Sequence, residues 1–95
     1  MKSDYQNAIV NKIRQLRQEK NFSQFYIATA IGISAGQLGN IETTSRSHKY
    51  TLSQLSIICD ELGIKIEDLF LDSTEELSKE ETIKRLINSI IEYEK

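Results

Sequence analysis

Residues 23–42 read SQFYIATAIGISAGQLGNIE, and the fold turns on how this stretch is punctuated. Ser23 is an N-cap residue type, and Phe22 before it is placed to act as a hydrophobic staple on the first turn of a following helix. Ile27, Ala28 and Ile31 then recur at helical spacing and give that helix one buried face. Gly32 ends it, because glycine alone enters the left-handed region without steric cost at a sharp helix exit. Ser34 is the next N-cap candidate, and Leu38 and Ile41 give a second helix a narrow apolar seam. Helices this short are not stable alone, and the small side chain of Ala28 lets the two cross closely. The stretch reads as a helix-turn-helix. Ala35, Gly36, Gln37, Gly39, Asn40 and Thr43 are left pointing away from the core, free to meet a ligand.

To the N-terminal side, Ile9, Ile13 and Leu16 share one face of a helix running from about Asp4 to Lys20. To the C-terminal side, residues 43–50, TTSRSHKY, are polar and aperiodic and read as a loop. Thr51 with Gln54 forms a capping box for a fourth helix, which buries Leu52, Leu55, Ile58, Cys59 and Leu62 and ends at Gly63. Ile64, Ile66, Leu69 and Phe70 make a short fifth helix that closes the core. Asp72-Ser73-Thr74 breaks the pattern. A last helix then runs to about Tyr93, capped either by Ser78 with Glu81 or, earlier, by Ser73 with Glu76. On it Ile83, Leu86, Ile87, Ile90 and Ile91 form a wide apolar stripe. That stripe either folds back on helices 1 and 5 or pairs with the same helix of a second subunit, and pairing is the favoured expectation.

A chain of 95 residues is enough for one domain that buries about 60–65% of its unfolded surface without disulfides. Cys59 is the only cysteine, which excludes an internal disulfide and fits a reducing cytoplasm; its place in an apolar run marks it as core. No stretch approaches the roughly 20 apolar residues of a membrane span, and the first residues do not read as a signal peptide. The net charge is −2, but it is divided unevenly. Residues 1–50 carry seven basic and three acidic groups, and residues 51–95 five basic and eleven acidic. The positive half holds the motif, as suits a protein that turns one face to phosphates. Catalysis is not expected: His48 is the only histidine and is far in sequence from Cys59, so neither a Cys/His pair nor a zinc site has its ligands. Glu80 and Glu81 stand four residues before Lys84 and Arg85, a helix-stabilising arrangement. No cofactor or metal is implied.

The flanking segments IRQLRQEKNFSQ and TLSQLSIICDELGIKIEDLF, with Leu16-Arg17, Ser23-Gln24, Ile27-Ala28, Gly32, Ile41-Glu42, Leu55, Leu62-Gly63 and Leu69-Phe70 in order, resemble the lambda-repressor-like family of helix-turn-helix domains, the Cro/C1 or Xre type. The resemblance covers residues 8–71. It departs at Ala35, Gly36 and Gly39, where bulkier polar residues are usual, at Thr43 and Thr44, where a glycine is frequent, and in a longer loop before Leu52.

The resemblance implies an all-α fold: a five-helix DNA-binding domain over residues 1–71, with residues 72–95 as an added amphipathic helix and dimerisation element built on Ile83, Leu86, Ile87, Ile90 and Ile91. The start of the second motif helix would lie in the major groove of double-stranded DNA. There the amides of Gln37 and Asn40 can pair with adenine, Ser34 can reach a base or phosphate, and the Ala35 methyl can pack on a thymine methyl. Gln24 would hold a phosphate at the start of the first motif helix, and Thr43, Arg46 and Lys49 would follow the DNA backbone. Arg17 and Glu42 would form a partly buried structural ion pair. Tyr26 and Tyr50 could border the DNA, although a core edge is the commoner place for such amphipathic side chains. The function implied is a cytoplasmic, sequence-specific transcriptional regulator, a homodimeric repressor on a palindromic operator. Two alternatives are an antitoxin or restriction-modification controller that binds its own promoter, the antitoxin also holding a toxin or other small protein, and an interaction module that has lost DNA binding.

Overall fold

The computed structural model describes residues 1–71 and 77–95, which form six α-helices and no strand. Helix α1 spans Asp4–Glu19, α2 Gln24–Ile31, α3 Ala35–Glu42, α4 Leu52–Leu62, α5 Ile66–Phe70 and α6 Lys79–Glu94. Each boundary has a local cause. Ser3 and Gln6 exchange backbone and side-chain hydrogen bonds as a capping box at the start of α1, satisfying donors that an uncapped helix leaves open. Behind α1, Asn21 takes φ 60°, a left-handed conformation that asparagine tolerates better than most residues. Ser23 caps α2, and the Phe22 ring stacks on Tyr26 at 4.5 Å. The staple residue therefore meets the third residue of the helix as well as the core.

At the end of α2, Gly32 has φ 75°, the Ile33 N–H donates to the Ala28 carbonyl and the Gly32 N–H to the Thr29 carbonyl. This is a Schellman closure. Gly63 repeats it after α4, with φ 70° and Ile64 donating to the Cys59 carbonyl. Thr51 and Gln54 form the capping box of α4. Ser78 caps α6 through the Glu81 N–H; the competing start at Ser73 with Glu76 lies outside the described residues.

The core is one cluster. Ile9, Val10 and Ile13 of α1, Ile27 and Ala28 of α2, Leu38 and Ile41 of α3, and Leu55, Ile58, Cys59 and Leu62 of α4 are buried together with Leu69, Phe70, Tyr50 and Tyr93. Ala28 is 1% exposed, and α2 packs on both α3 and α4, so a longer side chain there would lift the motif apart. Burial pushes the Cys59 thiol up to about 11, which leaves it neutral and unreactive at physiological pH.

Helix α6 packs against α5 and α1 of its own chain. Tyr93 is fully buried, sets its ring edge-on to Phe70 at 5.8 Å, and donates its hydroxyl to the Tyr50 carbonyl at 2.8 Å. Leu86 and Ile90 are partly buried against the core, while Ile83, Ile87 and Ile91 stay 49%, 51% and 52% exposed. The apolar stripe is thus divided lengthwise: one edge is used within the chain, and the other edge faces out.

Candidate nucleic-acid interface

Helix α3 exposes Gln37 and Asn40 to solvent while Leu38 and Ile41 are buried; Gln37, one turn before Ile41, stands at the margin of the buried face. Its N-terminus is built by a capping box: the Ser34 hydroxyl accepts from the Gln37 N–H at 3.0 Å, and the Gln37 Oε1 accepts from the Ser34 N–H at 2.8 Å. This alters the chemistry of Gln37. Pairing with adenine needs both the amide oxygen and the amide N–H, and the oxygen is already engaged within the turn. While the box is closed, one of the two acceptor sites of the Gln37 oxygen is taken and the orientation of the amide is set by the turn, while both N–H donors stay open, suited to an acceptor such as guanine O6 or N7 or a phosphate. Asn40 has no hydrogen-bond partner among the described residues, so both faces of its amide remain available. Ser34 is likewise occupied as the cap, and Ala35 is half-buried beside it.

Neither glycine of α3 is required by the protein interior. A Cβ at Gly39 would meet nothing within 4 Å, and one at Gly36 would meet the Ser34 hydroxyl at 3.9 Å. Their effect is to flatten the outer face of the helix.

Beyond Gly39 lies a polar hollow lined by Arg14, Gln24, Gly39, Glu42, Thr43 and Thr44. Its floor is a charge cluster. Arg17 and Glu42 are 7% and 6% exposed and meet through two parallel bonds, Nε to Oε2 at 2.9 Å and Nη2 to Oε1 at 3.1 Å. The third guanidinium nitrogen donates to the Phe22 carbonyl at 2.8 Å, and Gln24 donates its Nε2 to Glu42 Oε1 at 2.8 Å. The pair therefore ties α1 to the end of α3 and fixes the first residue of α2. Arg14 stands 4.0 Å from the same carboxylate with its side chain 52% exposed. Two guanidinium groups share one carboxylate, so the hollow keeps a net positive charge on its open side. Gln24 retains a second N–H for a ligand there.

Sequence reasoning missed Arg14, although it lies three residues before Arg17 and so on the same helix face. Thr43 caps the end of α3 by donating its hydroxyl to the Gly39 carbonyl at 2.8 Å. Arg46 is exposed in the loop that follows. Lys49 lines a second hollow with Gln37, Asn40 and His48, on the other flank of α3. Its ammonium is engaged within the chain, donating to the Tyr93 carbonyl at 3.0 Å and lying 5.3 Å from the centre of the Tyr93 ring. Tyr50 is 1% exposed and belongs to the core, where burial raises its phenol well above the ordinary range, helped by the nearby Glu42 charge. Tyr26 stays 44% exposed and donates its hydroxyl to Glu61 at 2.6 Å, a bond that raises its phenol.

A short, exposed recognition helix, held by a Schellman turn on one side and a buried Arg–Glu pair on the other, is the geometry of a major-groove reader. The family model described as Cro/C1-type HTH DNA-binding domain matches residues 12–75. The chain belongs to that family. No curated protein and no solved structure matches the chain. As a Cro/C1-type HTH protein it is a DNA-binding regulator built on an all-α domain, with α6 as an addition that lies outside the matched residues. No helix among the described residues is long and apolar enough to cross a membrane.

Proposed function

We propose that this Cro/C1-type HTH protein is a cytoplasmic homodimeric repressor that occupies a palindromic operator. The observation that carries the reading is the exposed surface of α3: Gln37 and Asn40, whose amide has no hydrogen-bond partner among the described residues, line one flank with Lys49, and the positively charged hollow of Arg14 and Gln24 lies on the other. In this reading Asn40 is the principal base reader. Gln37 donates to a base or phosphate, the Ala35 methyl packs on a thymine methyl, and Ser34 serves mainly as the cap. Arg14, Gln24, Thr43 and Arg46 bind phosphates, and Lys49 adds charge beside Gln37 and Asn40. Arg17 and Glu42 are structural. The test is selection of bound sequences from random DNA. The expected product is a palindrome with half-sites about one helical turn, roughly 34 Å, apart. Asn40→Ala should then relax preference at one position by about 1–3 kcal/mol, whereas Gln24→Ala should weaken all sequences alike. Equal loss on every sequence from both variants would remove the base-reading role of Asn40.

The outward edge of α6 supports the dimer. Half of the six isoleucine side chains brought by two subunits remains to be covered, which is worth about 5–9 kcal/mol at about 1.5–3 kcal/mol per fully buried side chain. Association costs of similar size, roughly 4–15 kcal/mol, stand against this, so pairing alone is weak and the operator completes it. Ile83→Glu with Ile87→Glu should leave a folded monomer with much weaker operator binding, checked by sedimentation at high protein concentration. Leu86 and Ile90 pack on the subunit's own core and are not suitable probes. A different small protein co-purifying on this edge, lost in the same double variant, would favour the antitoxin reading.

A further inference from the structure

Lys2 is the most deeply buried cation among the described residues, at 4% exposure against 7% for Arg17. Lysine is almost never buried without a charged partner, yet no carboxylate among the described residues pairs with it. Its three N–H donors instead go to three backbone carbonyls of the loop that leaves α3: Thr43 at 3.0 Å, Arg46 at 2.8 Å and His48 at 2.7 Å. Burial lowers the pKa of this ammonium. The loop itself has little local order, with one backbone bond from the Arg46 N–H to the Thr43 carbonyl at 3.2 Å. Three carbonyl dipoles converging on one point repel each other unless a cation sits at their focus. Lys2 is in turn anchored to α1. The capping box of Ser3 follows it directly, its own carbonyl accepts from Asn7 at 3.4 Å, and Gln6 is tied to the Tyr93 carbonyl at 2.7 Å. Residue 2 also lies before the residues matched by the family, which begin at 12.

We propose that Lys2 is a positioning residue for DNA binding: its ammonium gathers the carbonyls of Thr43, Arg46 and His48 and so holds the loop in the shape that presents Arg46 and Thr43 to a phosphate. This rests on the reading of the loop as a phosphate contact. Lys2 itself touches no DNA. Its charge, which no carboxylate among the described residues pairs with, adds positive potential behind the loop.

The test is a double-mutant cycle between Lys2→Met, which keeps an unbranched stem without the ammonium, and Arg46→Ala, measured on one DNA duplex well below the melting temperature. Lys2→Met should weaken binding about tenfold on all sequences alike and make the log–log salt slope shallower by about one per subunit, the loss of one phosphate contact. Arg46→Ala should add little in that background, because its contact is already lost. In Lys2→Ala, n-propylammonium should restore affinity where tetramethylammonium at equal ionic strength, which has no N–H donor, does not. A lower melting temperature with wild-type affinity and slope, or fully additive losses, would overturn the proposal and leave Lys2 a stability residue. Amide exchange at residues 44–48 of the free protein gives a DNA-independent arm: Lys2→Met should accelerate it, and unchanged exchange would also overturn the clamp. Failure of the phosphate reading itself would be seen separately, as Arg46→Ala having no effect on affinity or slope in the otherwise unaltered protein.

Discussion

Helix α3 is entered through a turn and left through a loop, and the two connections are held by different means. The entry is local: Gly32 at φ 75°, the Ile33-to-Ala28 bond and the Ser34–Gln37 capping box all lie within ten residues. The exit is held from a distance. Lys2 grips its carbonyls from 41, 44 and 46 residues away in sequence, and Tyr93 donates to Tyr50 across 43. The entry is thus bonded wholly within the motif, while the exit adds to its local Thr43–Gly39 and Arg46–Thr43 bonds a set from the start of the chain and from α6.

The largest effects should fall where the exit end of α3 is anchored. Glu42→Ala strands the buried Arg17 guanidinium and removes the partner of Gln24. It should cost about 3–5 kcal/mol in urea unfolding; an unchanged midpoint would mean that the pair does not hold α1 to α3. Tyr93→Ala empties a fully buried site between Phe70 and Tyr50 and should also cost about 3–5 kcal/mol. If the variant remains folded, it should loosen residues 43–50 more than residues 32–34 by amide exchange. Equal loosening of both would erase the distinction between a remote exit and a local entry.

Smaller effects belong to the entry and the helix itself. Gly32→Ala forces a side chain into the left-handed region and should cost about 1–2 kcal/mol, with no change in the exit loop. Gly39→Ala should do the reverse of most substitutions: with open space around the added methyl, it should raise stability by about 1 kcal/mol. If DNA affinity falls while stability rises, the bare backbone at Gly39 serves close approach to the duplex. If affinity is unchanged, the glycine has no role in binding.

The same contrast explains what could be read from the sequence. The entry turn, the Thr51–Gln54 box and the α4 exit at Gly63 follow from residue types a few positions apart, and the helix-turn-helix and its family were legible from them. Sequence reasoning missed the capping role of Gln37, although Ser34 and Gln37 have the same spacing as Thr51 and Gln54; it gives Gln37 only a base contact, and what the box does to its amide needed the geometry. Lys2 gave no signal, because a lysine near the beginning of a chain is ordinarily solvated and its partners are carbonyls that carry no sequence identity. The stripe on α6 was visible as a stripe. Its division into an inner edge with Leu86, Ile90 and Tyr93 and an outer edge with Ile83, Ile87 and Ile91 depends on how the helix lies on α1 and α5, which periodicity does not encode.

The central claim is that the exposed face of α3 and its flanking hollow bind DNA through phosphates as well as bases, in a dimer. The measurement that tests it most directly is the affinity of the intact protein for a selected operator across a range of salt concentrations. Four to six neutralised phosphates per subunit predict a slope of log affinity against log salt of roughly −7 to −11, at about −0.9 per phosphate. A flat response, or a slope near half that value with one protein chain per duplex, would contradict the account.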